Sequence, residues 1–496
     1  MLTENTAKSD KIIYLGLFLI SFAMVFTSAF SPFNFRIMHV DSAAYVTIAQ
    51  GITRGFLPYR DFVDNKGPLL YLISAFGLNF GGFTGIWIIE LIFMFVSVLF
   101  AYKTALFFGN KHYAFIATAF SFVIMLAFFN IHAGVEEYSM PFLMISLYIF
   151  VKYYFSPKQE TGFVELILLG FCFSCAIMIR LNMFFLWFGF CVIIFIESII
   201  RKRFLMLGKY LLGFSIGILI ALIPIFLYLR INGITEDFYN QVVIAGGARG
   251  FEITNLKDIT NHFYAIIHRN YSFIPLFFGL FWIITSYKKP VFGFYLAYTL
   301  SYFLTALFWA FGGAGGSVIH YNMMFIPYFI PVLTYITGLL FSAFSGLKAK
   351  NVILVLFFCL VFSEGLARYF YDLTKIFNNN TGIQLKNAGK MIDDNTNPGD
   401  TIIALSFAYI YPFTNRNAAS KYFFQGSGLE HIQGANEEFI NDIINNKPAI
   451  IVVYNNEGSE PYRERWHAPV YDLMNKEYFL LSDVNGYNLY KRKENP

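Results

Sequence analysis

The sequence predicts an α-helical polytopic membrane protein with a small C-terminal extracytoplasmic α/β domain, and three observations carry that reading. The 496 residues are 57% hydrophobic and only 14% charged, against roughly 25% charged in an average soluble chain. The apolar residues fall in repeated runs near 20 residues, the length a helix needs to cross a bilayer. After about residue 369 these runs stop and polar residues return. Such a composition excludes a cytosolic enzyme, a disordered chain and a disulfide scaffold, because one core could not hide so much apolar surface. The net charge of +5 is not a nucleic-acid footprint, since Lys and Arg are scattered in ones and twos between the apolar runs.

Taken in order, eleven stretches fit the spanning template: about 12–30, 84–102, 113–130, 138–151, 163–180, 183–200, 210–229, 271–287, 291–311, 320–341 and 351–368. Short-loop Lys and Arg set orientation. With the N-terminus inside, every inner loop is basic: Lys103 and Lys111, Lys152 and Lys158, Arg201 to Arg203 with Lys209, Lys288 and Lys289, and Lys348 and Lys350. The outer segments instead hold Asp41, Asp61, Asp64, Glu136, Glu137, Glu236, Asp237 and Glu252. Eleven spans starting in the cytoplasm leave the C-terminus extracytoplasmic. All four cysteines fall within spans, and Cys172 and Cys175 read as buried thiols on one apolar helix face.

Two outer loops, 31–83 and 231–270, are too long for simple connectors. In the first, apolar residues at 44, 45, 48, 49 and 52 recur at helical spacing, predicting a short amphipathic helix along the membrane surface. A second surface helix is expected after Lys66-Gly67-Pro68, because proline suits a first helical turn. The second loop carries the run 245–250, rich in glycine and ending in Arg249-Gly250. The chain thus divides at 368, with a membrane domain over 1–368 and an exported domain over 369–496. In the latter, 382–396 and 436–446 read as helices, and 400–405, 449–454 and 478–492 as strands. No Gly-rich nucleotide fingerprint follows these strands.

Charges that topology does not explain are candidates for chemistry. Asp41 either caps the 42–52 helix or stands beside Tyr45 as a general base, and the two roles are compatible. Glu136 and Glu137 open the fourth span, where acidic residues also complement the helix dipole. Among the outer cations, Arg54 and Arg60 read as snorkelling side chains. Lys66, in its Lys-Gly-Pro turn, and Arg180, in the very short link between the fifth and sixth spans, suit a phosphate. His320, after the glycine-rich run 312–316, faces the same membrane side. Carboxylates and cations together at one membrane face fit group transfer from a lipid phosphate. The rival is a transporter or flippase of a lipid-linked sugar, which should show paired broken helices and internal symmetry; no clear repeat is present.

The run Asp41-Ser42-Ala43-Ala44-Tyr45, then Pro58-Tyr59-Arg60-Asp61 and Lys66-Gly67-Pro68-Leu69-Leu70-Tyr71, resembles the first outer loop of the GT-C glycosyltransferases. The likeness is to the branch of bacterial relatives of protein O-mannosyltransferases and lipid A aminoarabinose transferase, and it extends to Glu136-Glu137 and to His320-Tyr321. It implies a plasma-membrane, inverting glycosyltransferase that uses a polyprenyl-phosphate monosaccharide and a glycan, lipid or protein acceptor. By the same resemblance Asp41 is the catalytic base. Glu136 or Glu137, with Tyr45, orients acceptor or donor, and Lys66, Arg180 and His320 hold the phosphate. No cofactor is firmly implied by the resemblance, which admits a divalent metal with no ligands assigned. Two positions depart from the pattern: Gly67 stands where many relatives have proline, and Ser42 where a glutamate or another residue often follows the aspartate.

Overall fold

In lipid every backbone polar group must be satisfied within the chain, so the apolar runs become helices. A computed structural model describes residues 2–34, 38–128, 132–248, 255–268, 271–311, 318–344, 350–361, 363–378, 381–405, 408–425, 432–454, 461–484 and 486–493. Asn130, Arg249, Gly250, Glu252, Lys348 and the run 312–316 lie outside the described residues. The N-terminal helices are α1 (Leu2–Phe26), α2 (Val40–Thr53), α3 (Pro68–Ala105), α4 (Lys111–Phe128) and α5 (Val135–Phe155). They are followed by α6 (Phe163–Ile179), α7 (Phe185–Ile200) and α8 (Phe204–Ile231). Short α9 (Thr235–Phe238) and α10 (Gly246–Ala248) flank a π-helical turn at Tyr239–Ala245. Next come α11 (Leu256–His268), α12 (Phe273–Thr285), α13 (Phe292–Phe311), α14 (Ile326–Ala343), α15 (Lys350–Val361), α16 (Ser363–Asn378) and α17 (Thr381–Asp394).

Each of the eleven expected spans falls on a helix. Among the described residues, six helices are long and apolar enough to cross a membrane: Pro68–Ala105, Lys111–Phe128, Leu181–Ile200, Phe204–Ile231, Phe292–Phe311 and Ile319–Ala343. The eleventh span ends earlier than 368. Its apolar helix stops at Val361, and α16 beyond it is amphipathic, carrying Glu364, Arg368, Asp372 and Lys375. This helix lies flat against α4, with Gly365 so close that a β-carbon there would sit 2.1 Å from the Val123 carbonyl oxygen.

The expected second surface helix forms the first part of α3. It turns sharply into the span at Gly81 (φ −163°, ψ 17°) and Gly82 (φ 58°, ψ −139°). Residues eight apart in a straight helix are about 12 Å apart along its axis. Here a β-carbon on Gly85 would meet the Gly77 carbonyl oxygen at 2.0 Å, so the chain folds back on itself.

The first expected surface helix is present as α2, but it is not amphipathic at a membrane surface: Ser42 through Ala49 and Gly51 are all buried. Its second face is covered by the C-terminal domain, which single-helix periodicity cannot anticipate. Gln50 Nε2 donates to the Pro412 carbonyl at 3.1 Å, and Val63 N–H donates to the Lys421 carbonyl at 3.0 Å. Arg54 does not snorkel; its guanidinium reaches Asn417 Oδ1 at 3.4 Å and the Thr414 carbonyl at 3.5 Å. Arg60 pairs with Asp61 at 3.0 Å.

Among the described residues the C-terminal domain holds five strands, β1 (Thr401–Ala404), β2 (Asn417–Ala418), β3 (Ile450–Tyr454), β4 (Tyr478–Val484) and β5 (Tyr487–Arg492), with helices α18 (Ala435–Asn446) and α19 (Pro461–Glu477). The sheet order is β2-β1-β3-β5-β4, parallel among the first three and antiparallel at the β5 side. Alternate strand residues point to opposite faces. Ile403, Leu405 and Ile451 therefore pack with Phe439, Ile443 and Trp466 of α18 and α19, whereas Ile402, Ala404, Ile450 and Val452 join the core continuous with the membrane helices.

Candidate active site

The first turn of α2 presents Asp41. The helix begins at Val40 and its N-cap is His39, whose Nδ1 accepts from the Asp41 N–H at 3.2 Å. The capping role is thus taken by the neighbour, and the half-buried Asp41 carboxylate makes no hydrogen bond or ion pair among the described residues. Burial, and after it the Asp41 carboxylate, raises the Tyr45 phenol well above its ordinary range, so Tyr45 stays a neutral donor. Burial pulls the His39 imidazole down although Asp41 pushes it up.

Glu136 and Glu137 are successive residues in the first turn of α5, about 100° apart around the axis, and the structure sends them to different partners. Glu136 Oε1 accepts from Arg180 Nη1 at 3.1 Å, with the two side chains only 3% and 15% exposed. Glu137 turns to the other side, where its Oε2 accepts from the Ala133 N–H at 2.8 Å alongside Glu90. Arg180 itself caps the end of α6 in extended backbone. Its guanidinium packs 4.4 Å from the Tyr321 ring and 4.8 Å from Trp309, which stack on each other at 4.1 Å. A guanidinium carries five N–H donors, so the pairing with Glu136 leaves others for a second anion.

Lys66 is held beside Arg180 by a backbone dock. Gly67 N–H donates to the Ile179 carbonyl at 2.9 Å, and a β-carbon on Gly67 would lie 2.0 Å from the Met178 carbonyl oxygen. Proline at 67 would lose the donor and collide, which accounts for that departure from the family pattern. Lys66 Nζ lies 3.9 Å from Asp64 Oδ1 and bonds Asn65. Gln241, on the π-helical turn of the second long loop, braces this segment by donating to the Tyr59 carbonyl at 2.6 Å and accepting from Asp64 N–H at 3.2 Å. The other departure, Ser42, donates from Oγ to the His132 carbonyl at 2.5 Å, tying α2 to the loop before α5.

His320, buried in the 3-10 segment Ile319–Phe325 ahead of α14, stands edge-on to His39 with ring centres 6.1 Å apart and lies 4.8 Å from Tyr321. Glu136 is within electrostatic reach of Asp41, Arg180 and Lys66, and His320 of His39, Arg180 and Lys66. The structure therefore brings Asp41, Tyr45, Lys66, Glu136, Arg180 and His320 to one place and separates Glu137 from them. Trp309, Gln241 and His39 went unread in the sequence, and Tyr321 entered only with His320 through the resemblance, because aromatic and amide side chains carry no topological signal. Glu90 and His132, next to Glu137, were also missed, although an acid inside an apolar span is itself a signal. A cavity of about 340 Å³ lined by Phe150, Leu166, Leu169, Phe195, Leu211 and Phe214 lies toward the opposite ends of α5 and α6, away from the charged cluster.

No curated protein matches the sequence. In fold, ArnT from Cupriavidus metallidurans bound to undecaprenyl phosphate is similar at 12% identity, with a TM-score of 0.62 and 98% of each chain covered. The apo state of that protein gives 11% identity, a TM-score of 0.60 and the same coverage. The Archaeoglobus fulgidus oligosaccharyltransferase tethered with an acceptor peptide is similar at 14% identity and a TM-score of 0.52, over 97% of this chain and 74% of that one. The fold is therefore the GT-C membrane fold with its small C-terminal sheet domain. Residues 3–288, more than half of the chain, match the model of the putative competence-induced protein Ccs4 N-terminal domain, and the protein belongs to that family.

Proposed function

We propose that the protein is an inverting glycosyltransferase that moves a monosaccharide from a polyprenyl-phosphate donor to an envelope acceptor at the outer face of the plasma membrane. The observation that carries this reading is the half-buried Asp41 carboxylate, without a partner among the described residues, gathered with the Glu136–Arg180 pair, Lys66 and His320. Support for the donor class comes from the shared fold with ArnT bound to undecaprenyl phosphate. The orientation, N-terminus cytoplasmic and sheet domain outside, rests on the basic inner loops.

In this reading Asp41 takes the proton of an acceptor hydroxyl as its oxygen attacks the anomeric carbon from the face opposite the phosphate. The bond from the anomeric carbon to the phosphate oxygen breaks. Arg180 and Lys66 then face the charge developing on the departing polyprenyl phosphate. Glu136 holds the Arg180 guanidinium in place, while Tyr45 donates a hydrogen bond to a sugar or acceptor oxygen. His320 completes the phosphate side, and the lipid tail lies between helices.

The test is product formation by purified protein from synthetic undecaprenyl-phosphate sugars, read by mass spectrometry. Asp41→Asn is expected to lower turnover by about 10²–10⁴-fold with folding intact. Wild-type turnover in that variant overturns the mechanism. Movement of the donor lipid across a vesicle bilayer without any product moves the reading to a transporter.

A further inference from the structure

Behind the charged cluster lies a second, fully buried set of groups that the transfer mechanism does not use. Glu90, inside the α3 span, is 0% exposed, Glu137 2% and His132 8%. One ligand-capable atom from each lies within 4.8 Å of the other two. Both carboxylates accept from the same backbone donor, Ala133 N–H, at 2.7 Å to Glu90 Oε1 and 2.8 Å to Glu137 Oε2. Ala133 reaches them from the left-handed region, at φ 51°. Ser28 Oγ donates to Glu90 Oε2 at 2.7 Å, while Glu137 Oε1 accepts no hydrogen bond among the described residues. No Lys or Arg pairs with either carboxylate among the described residues.

Two carboxylates sharing one N–H in a water-poor interior cannot both stay ionised without a cation, and an unpaired buried charge costs several kcal/mol. Either they share a proton or they hold a metal. The donor set points to the second. Two carboxylates with an imidazole match the mixed nitrogen and oxygen ligation of first-row divalent ions, with solvent as the fourth ligand. Metal bonds near 2.0–2.2 Å require ligand atoms roughly 3.3 Å apart, which side-chain rotation reaches from the observed separation.

We propose that Glu90, His132 and Glu137 bind a divalent metal ion of the Zn²⁺ or Mn²⁺ class. The site lies where three elements meet: the turn after α1 through Ser28, α3 through Glu90, and the start of α5 through Glu137. The His132 carbonyl in turn holds Ser42, the residue after Asp41, and Glu137 directly follows Glu136, the partner of Arg180, in the first turn of α5. The ion therefore fixes the two carboxylates of the reaction cluster from behind without touching them, and binding it does not depend on the transfer reaction.

The experiment uses the full chain, tag-free in detergent, stripped with a chelator and dialysed against Zn²⁺ or Mn²⁺ before metal analysis. Wild type and Asp41→Asn are each expected to retain one ion per chain. Glu90→Gln and Glu137→Gln are expected to weaken binding by more than about 100-fold. Wild type that retains no stoichiometric ion overturns the proposal and leaves a proton-sharing pair; so does an ion lost in Asp41→Asn but kept in Glu90→Gln. Where the glutamine variants do not fold, the stripped wild type decides: added metal is expected to raise its melting temperature, and an unchanged melting temperature overturns the site. Because the readouts are metal content and melting, their failure leaves the glycosyltransferase reading standing, and loss of turnover alone does not touch the metal site.

Discussion

Arg180 is the residue on which most of the cluster converges. It ends α6, pairs with Glu136 at 3.1 Å and lies over Tyr321 and Trp309. With Glu136 only 3% exposed, Arg180→Gln strands a buried carboxylate and is expected to destabilise the protein by about 3–5 kcal/mol. Adding Glu136→Gln should recover most of that loss, measured as melting of single and double variants; additive losses would mean the pair is not coupled. Gly67 makes a second residue-scale prediction. Gly67→Ala pushes a β-carbon into the Met178 carbonyl and is expected to displace Lys66, lowering both stability and donor binding. Gly208→Ala, in α8 with open space around it, is the control and is expected to be neutral or slightly stabilising. At this scale the sequence was readable where charge was out of place. Asp41, Lys66, Glu136 and Arg180 stand out because lipid makes ionisable groups scarce. The division of labour between Glu136 and Glu137 was not readable, since it depends on where Arg180 and Glu90 lie in space.

Helices followed directly from apolar runs, whereas their ends and bends depend on particular glycines. Gly82, at φ 58° and ψ −139°, lets α3 fold back so that Gly77 touches Gly85. Gly82→Ala is expected to cost about 1–3 kcal/mol and to loosen the segment that begins at Pro68, visible as faster hydrogen exchange over residues 68–80. The same close approach recurs between α6 and α8, where β-carbons on Gly170 and Gly217 would lie 2.0 Å and 1.9 Å from the Phe214 and Ile167 carbonyl oxygens. Small residues let lipid-embedded helices pack backbone to backbone. In the C-terminal domain, β1 and β3 were visible as apolar runs, and 478–492 as one strand-like stretch that the structure divides into β4 and β5. The two-residue β2 and the polar α19 were not, because neither is long or apolar enough to carry a pattern.

Across the whole molecule, the membrane helices and the sheet domain share one continuous core. Phe62 packs edge-on to Phe423 at 5.5 Å and Phe83 to Phe413 at 5.9 Å. A Phe62→Ala, Phe423→Ala cycle is expected to show a coupling of about 0.5–1.5 kcal/mol in melting. Zero coupling would mean that the two parts fold independently. This seam explains why α2 was misread from sequence: part of its burial is supplied by residues that are distant along the chain.

The hydrogen bond from Gln50 to Pro412 spans 362 positions. At roughly 5–20 residues per second of synthesis, α2 waits on the order of 20–70 s for the residues that cover it. During that interval α2 is already made but the residues that cover its far end are not, so the newborn chain holds this helix partly bare until the sheet domain has been synthesised and closes over it.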